Sequence, residues 1–239
     1  MGGHPGARLE DPLSAAKKSS PTSPRCILAI DVGGTNIKIK CNISDEVRKI
    51  ASGPHMTAEH MVTAVKELAR DWEFEAVSMG YPGPVRRGAI LREPYNLGRG
   101  WMAFEFAEAF GVPVRIINDA AMQALGCYAG GSMLFLGLGT GLGTVLIVNG
   151  EVQPMELAHL PYRQGRTYED FAGRKGRDRL GRKDWRRAVI RMIDDLTMAL
   201  QPDYVALGGG EAKKLGDLPP NCRLGTNADA FVGGFKLWD

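Results

Sequence analysis

Asn118-Asp119 follows an apolar run, Val114 to Ile117, and precedes a segment of helical character, Ala120 to Tyr128. A carboxylate at such a strand-to-helix junction points off the end of a sheet. Nearby helix N–H groups favour its ionised form, and an ionised carboxylate can take a proton from an attacking hydroxyl. The other reading of Asp119 is a plain helix N-cap. Asp31-x-Gly33-Gly34-Thr35 puts a carboxylate ahead of a tight glycine turn, with Lys38 close behind. Such a turn exposes backbone N–H groups to a phosphate, and the Asp31 carboxylate suits Mg²⁺, directly or through water. An ordinary hairpin explains the same residues. Gly139-Thr140-Gly141-Leu142-Gly143 is a second candidate phosphate turn. No Lys-Ser/Thr follows it and a strand comes next, so it is neither a P-loop nor a dinucleotide fingerprint.

Two further clusters suit a polar small molecule. Glu156-x-x-His159 sets two hydrogen-bonding side chains three residues apart, and no third ligand stands at metal spacing. Asn96-Leu97-Gly98-x-Gly100-Trp101 offers an amide and an aromatic ring in a loop, a mixture that sugars require. Between Gly173 and Arg187, eight basic residues face only Asp178 and Asp184. That stripe would attract a polyanion, or it is a solvated loop and helix face.

The elements that must hold these residues are legible from periodicity. Ile27 to Asp31 and the alternating Ile37 to Lys40 predict a hairpin with its tip at Gly33-Gly34. Thr57 caps a helix reaching about Trp72, and Glu75 to Tyr81 reads as a buried strand. A helix is expected over Trp101 to Phe110. Met133 to Leu136 and Thr144 to Val148 repeat the strand, glycine turn, strand pattern 106 residues after the first (Gly33 to Gly139). Apolar spacing predicts a helix over Lys183 to Leu200, then a strand over Tyr204 to Leu207 closed by Gly208-Gly209-Gly210. Two such units imply a duplicated α/β chain with a cleft between its halves. We expect a disordered tail over residues 1–25, an N-terminal half over 26–118 and a C-terminal half over 119–226. A terminal helix over 227–239 would pack back on the N-terminal half.

Bulk composition excludes little else. With 239 residues, 44% hydrophobic, 24% charged and a formal net charge of +3, the chain is an ordinary globular sequence. That charge argues for neither nucleic acid nor membrane as a partner. No stretch of about 18 apolar residues and no secretory h-region is present. Four irregularly spaced cysteines read as free thiols of a cytoplasmic protein.

Taken together, the motifs resemble the ROK family of sugar kinases, nearest its polyphosphate glucokinase branch. The residues are Asp31-Val-Gly-Gly-Thr35 with Lys38, Gly80-Tyr-Pro-Gly-Pro84, Asn96-Leu-Gly with Trp101, Asn118-Asp-Ala120, Leu138-Gly-Thr-Gly-Leu-Gly143, Glu156-Leu-Ala-His159 and Leu207-Gly-Gly-Gly210. The resemblance implies an actin-like ATPase fold with two ribonuclease H-like halves. It implies that Asp119 is the catalytic base, that Asn96, Asn118, Glu156, His159 and Glu169 bind sugar hydroxyls, and that both glycine turns embrace the donor. Gly209 would border the donor site. It further implies transfer to a hexose, foremost the 6-OH of glucose, from ATP or polyphosphate with Mg²⁺, in a homodimer. Ala158 stands where the family carries glycine, and the family's zinc cysteines are missing, so no structural zinc is expected. The alternatives are a catalytically silent sugar binder and a sugar-responsive regulator. The regulator would need a DNA-binding domain ahead of residue 26, where only the tail is expected.

Overall fold

The computed structural model describes residues 26–226 and 228–239, so the tail expected over residues 1–25 lies outside them. Strands β1 (Ile27–Val32), β2 (Asn36–Cys41) and β3 (Arg48–Ala51) run as an antiparallel meander. In β2 the branched residues Ile37 and Ile39 turn to the core while Asn36, Lys38 and Lys40 turn out, the alternation of a half-buried strand. Helix α1 (Ala58–Leu68) follows; the Thr57 hydroxyl accepts the His60 N–H at 3.2 Å, and Met61, Val62 and Val65 face the sheet. Strand β4 (Ala76–Tyr81) lies parallel to β1 and is buried along its whole length, as central parallel strands are. A small hairpin, β5 (Val85–Arg86) and β6 (Ala89–Ile90), precedes α2 (Phe106–Phe110) and β7 (Val114–Asn118), which pairs parallel to β4.

After α3 (Asp119–Cys127) the pattern repeats. Strands β8 (Ser132–Leu138), β9 (Leu142–Val148) and β10 (Glu151–Met155) form a second meander. Helices α4 (Tyr168–Ala172) and α5 (Arg174–Leu200) lead to β11 (Tyr204–Gly208), parallel to β8, then β12 (Cys222–Leu224) and α6 (Asp229–Lys236). Among the described residues the two five-stranded sheets have orders β3-β2-β1-β4-β7 and β10-β9-β8-β11-β12. These are the same topology used twice.

Three apolar cores hold the layers. One lies under α1 and α2 with Trp101 and Phe106, and one lies under α5 with Trp185. The third joins α3 to the inner face of the second sheet around Phe135. Helix α3 packs against β4 and β7 on one side and β9 and β11 on the other, and α6 packs on α3, β1 and β4. The α3–α6 crossing is closer than a side chain permits: a Cβ at Gly233 would run into the Met122 carbonyl. Backbone proximity outweighs the helix propensity that glycine sacrifices. Trp238 Nε1 donates to Ser78 Oγ at 2.8 Å, and the Arg115 guanidinium stacks 4.2 Å over the Trp238 ring.

Two expectations need correction. Of the helix expected over Trp101 to Phe110, only Phe106–Phe110 is helical. Trp101 is instead a loop anchor, its indole N–H donating to Gly98 O at 2.9 Å and its ring 5.6 Å from Tyr81. Burial of a large ring with a satisfied donor overrides the weak local pattern. Conversely, α5 starts at Arg174, nine residues before the expected Lys183, and bends at Gly181, whose φ is 74°. The crowded cations of that first part hid its buried face at Gly176. No helix among the described residues is long and apolar enough to cross a membrane.

Candidate functional site

The carboxyl ends of parallel strands from both sheets meet at a cleft of about 1730 Å³. In the first sheet, Asp31 pairs with Gly80, and Tyr81 with Asn118, so three strand ends present Asp31 and the Asn118-Asp119 junction together. In the second, Gly137 pairs with Gly208, which brings the Gly139 turn beside Gly209.

Helix α3 begins at Asp119, and its cap is Asn118. The Asn118 Oδ1 accepts the Ala121 N–H at 3.1 Å while its Nδ2 donates to Gly83 O at 3.1 Å. The N-cap reading of Asp119 therefore fails, because the preceding residue does that work. Asp119 Oδ1 accepts the Ala120 N–H at 2.8 Å, and the carboxylate lines the cleft. Gly80 allows this placement: a Cβ there would lie 3.4 Å from Asp119 Cα and 2.5 Å from the Met122 methyl. The helix N–H groups do not keep Asp119 ionised as expected. Burial pushes its carboxyl up to about 7, against the Ala120 N–H, and the charges of Asp31 and Glu156 add to the rise. Desolvation is the largest of these influences.

Asp31 pairs across the hairpin with Lys38, whose Nζ is 3.4 Å from its Oδ2. Burial raises the Asp31 carboxyl as well, and Lys38 offsets part of the rise. Between them runs the first glycine turn, closed by the Gly33 N–H donating to Asn36 O at 3.1 Å. Gly34 faces Asn96, with 3.2 Å between the Asn96 Cβ and a Cβ built on the glycine. Asn96 and Thr35 are exposed and line the cleft.

The second turn is closed by the Gly139 N–H donating to Gly141 O at 3.0 Å, and Thr140 is its exposed tip. Gly139 faces open space, and Gly209, at φ 81°, lies so close to Leu138 O that only glycine fits. Glu169, expected at the sugar, lines the cleft but its Oε2 accepts the Leu142 N–H of this turn at 3.1 Å. Glu156 and His159 lie 3.9 Å apart with side chains 68% and 71% exposed. Glu156 lines the cleft, and His159 stands outside its wall. Ala158 is buried in a single 3₁₀ turn, Leu157–His159, against the α5 core, so its methyl group is accommodated there.

The basic stripe is largely occupied. Arg177 and Lys214 pair with the buried Glu211, and Arg174 approaches it at 3.4 Å. Arg182 donates to Lys214 O, and Arg186 to Leu215 O and Asp217 O. These cations tie α5 to the segment after Gly210. Arg86 and Arg87, on the β5–β6 turn, also line the cleft. Their sequence signal was Arg-Arg-Gly at a tight turn, with Gly88 at φ 78°. Among the described residues no three His, Cys, Asp or Glu side chains converge as a metal cage. One carboxylate completed by phosphate and water oxygens is a set Mg²⁺ accepts, so Asp31 fits that ion.

A family model described as "ROK family" matches residues 27–154. The chain is 28% identical over 208 residues to the polyphosphate glucokinase of Mycobacterium leprae, covering 77% of this chain and 63% of that one. It is 28% identical over 216 residues to the polyphosphate glucokinase of Mycobacterium tuberculosis strain H37Rv, covering 81% and 80%. The crystal structure of an inorganic polyphosphate/ATP-glucomannokinase from Arthrobacter sp. strain KM superimposes with a TM-score of 0.73 at 25% identity, covering 90% of this chain and 98% of that one.

Proposed function

This chain belongs to the ROK family and has its actin-like ATPase fold, and we propose that it transfers a terminal phosphoryl group to a hexose hydroxyl, the 6-OH of glucose foremost. The observation that carries this reading is Asp119. It lies in the cleft that both glycine turns line, with a carboxyl raised to about 7. A base whose pKa lies near the operating pH is half ionised yet strong enough to receive a proton.

In the proposed reaction the sugar hydroxyl oxygen attacks the terminal phosphorus. The bond from that phosphorus to its bridging oxygen breaks, and Asp119 takes the hydroxyl proton. Asn96 and Glu156, which line the cleft, orient the sugar. Asn118 spends both ends of its amide on the α3 cap and Gly83, so its part is to hold Asp119 and the Gly83 loop in place. The N–H groups of Gly34 and Thr35 in the first turn, and of Thr140 and Gly141 in the second, face the donor phosphates with Lys38. Bound Mg²⁺, held at Asp31, would neutralise phosphate charge. Transfer of this kind rests on positioning and electrostatics.

Polyphosphate joins ATP as a donor in this reading because two of the relatives are polyphosphate glucokinases and the third uses both. The test is a coupled assay of the purified chain over a panel of hexoses with ATP and polyphosphate. Phosphorylation of glucose is expected. Sugar-dependent thermal stabilisation without transfer from either donor would make the chain a silent sugar binder instead.

A further inference from the structure

The four cysteines divide into two kinds. The Cys127 thiol donates to Asp229 Oδ2 at 3.1 Å, and Cys222 lies half-buried on β12. Cys26 and Cys41 have each other: their Sγ atoms stand 2.6 Å apart. Unbonded carbon atoms rest roughly 3.5–4 Å apart, and sulfur is larger. A disulfide bond is about 2.05 Å long, so the two sulfur atoms are nearer to bonding distance than to ordinary contact.

The sheet explains the meeting. Strands β1 and β2 are antiparallel with Leu28 opposite Cys41, so Cys26, two residues ahead of Leu28, comes to the same face and lies diagonal to Cys41. Asn42 fixes the chains at that level: its N–H donates to Ile27 O at 3.1 Å, and its Oδ1 accepts the Ile27 N–H at 2.9 Å. Sliding the two segments apart would break both bonds. Neither thiol lines the cleft, so the proposed transfer uses neither.

We propose that Cys26 and Cys41 are an oxidation site, a dithiol that hydrogen peroxide converts to a disulfide stapling the base of the β1–β2 hairpin. Cys41 is fully buried and Cys26 is 8% exposed, so Cys26 reacts first. Its thiolate attacks one peroxide oxygen, the O–O bond breaks and hydroxide leaves, giving a sulfenic acid. That hydroxide takes up the proton the Cys26 thiol gave up. The Cys41 sulfur then attacks the Cys26 sulfur, the S–O bond breaks, and the hydroxyl leaves as water with the Cys41 proton. Two thiols and one peroxide become one disulfide and two waters, sulfur being oxidised and peroxide oxygen reduced. Burial, the bond to Cys41 and the charges of Cys41 and Glu75 push the Cys26 thiol up to about 12, so oxidation is slow. The staple closes the hairpin that carries Asp31 and Lys38 at its other end. It stands whether or not the chain is a kinase.

The test treats the full-length wild type with hydrogen peroxide or with dithiothreitol, alkylates the unfolded protein and reads its peptides by mass spectrometry. A peptide pair linked through Cys26 and Cys41, and released by reductant, is expected. The link joins residues 15 positions apart. Closing such a loop predicts a melting temperature roughly 5–10 °C above that of the reduced protein. Cys41→Ser is expected to lose both the link and the shift, and to leave a Cys26 sulfenic acid that dimedone captures. If Cys41→Ser does not fold, the wild-type peptides decide the matter alone. Peroxide-treated wild type in which both thiols still alkylate, or in which either links to Cys127 or Cys222 instead, overturns the proposal.

Discussion

In the N-terminal half the glycine turn follows Asp31, faces Lys38 and leans on Asn96. In the C-terminal half the equivalent turn carries no ionisable residue and meets Glu169 from another element. The strand orders are the same, so topology decides only that a turn must occur at each of these strand ends. What surrounds each turn is free to differ. The first turn therefore has an acid and a cation beside it, Asp31 and Lys38. The second is a backbone cradle, and the charges near it, around Glu211, hold the fold together.

The largest effect is expected from the carboxylate proposed as the base, at the junction of the two halves. Asp119→Asn is expected to lower kcat by roughly a hundredfold to ten-thousandfold while sugar-dependent thermal stabilisation survives. In the wild type, kcat/KM is expected to rise with pH through about 7, as Asp119 ionises. The same change alters stability. The folded carboxyl at about 7 lies above its unfolded value, so the native state is favoured below about pH 4 and loses that advantage as pH rises through 7. Urea unfolding should show Asp119→Asn gaining on the wild type between pH 4 and 8, by at most about 4 kcal/mol. A flat difference would place the titration elsewhere.

Glu211 is the corresponding pressure point of the second half. It is 3% exposed and meets Arg174, Arg177 and Lys214. Glu211→Ala removes a buried acceptor shared by Arg174, Arg177 and Lys214, leaves Arg177 its pair with Asp178, and should cost about 1–3 kcal/mol in chemical denaturation. Lys38→Ala removes a pair whose partners are 39% and 23% exposed. Its stability cost should stay below about 1 kcal/mol, with the loss appearing in donor KM instead. Similar stability losses for the two variants would erase the contrast between the halves. Asn118→Ala should cost about 1 kcal/mol through the α3 cap. The smallest effect belongs to Arg187→Ala, whose pair with Asp184 is exposed and worth less than about 0.5 kcal/mol by thermal melting.

Much of this arrangement is legible from residue order. Both strand–turn–strand units, the α1 cap at Thr57 and the strand over Ala76–Tyr81 follow from local pattern. So does the grouping of Asp31, Asn96, Asp119 and the two glycine turns, through the ordered motifs they form. The first part of α5 carries no legible helical pattern because its cations interrupt the apolar rhythm, and their partners lie near residues 211–217. Local pattern extends the helix to Trp101, because the burial of that ring against Tyr81 involves residues twenty positions apart.

Residue order alone determined the duplicated α/β plan and nominated the groups proposed to bind phosphate or move a proton, because turns, caps and periodicity are short-range. Tertiary structure decided which neighbour caps α3, which side chain meets the second turn and how far the Asp119 carboxyl is raised. Those outcomes depend on desolvation and on contacts between distant segments, where a few ångströms of packing outweigh any local preference.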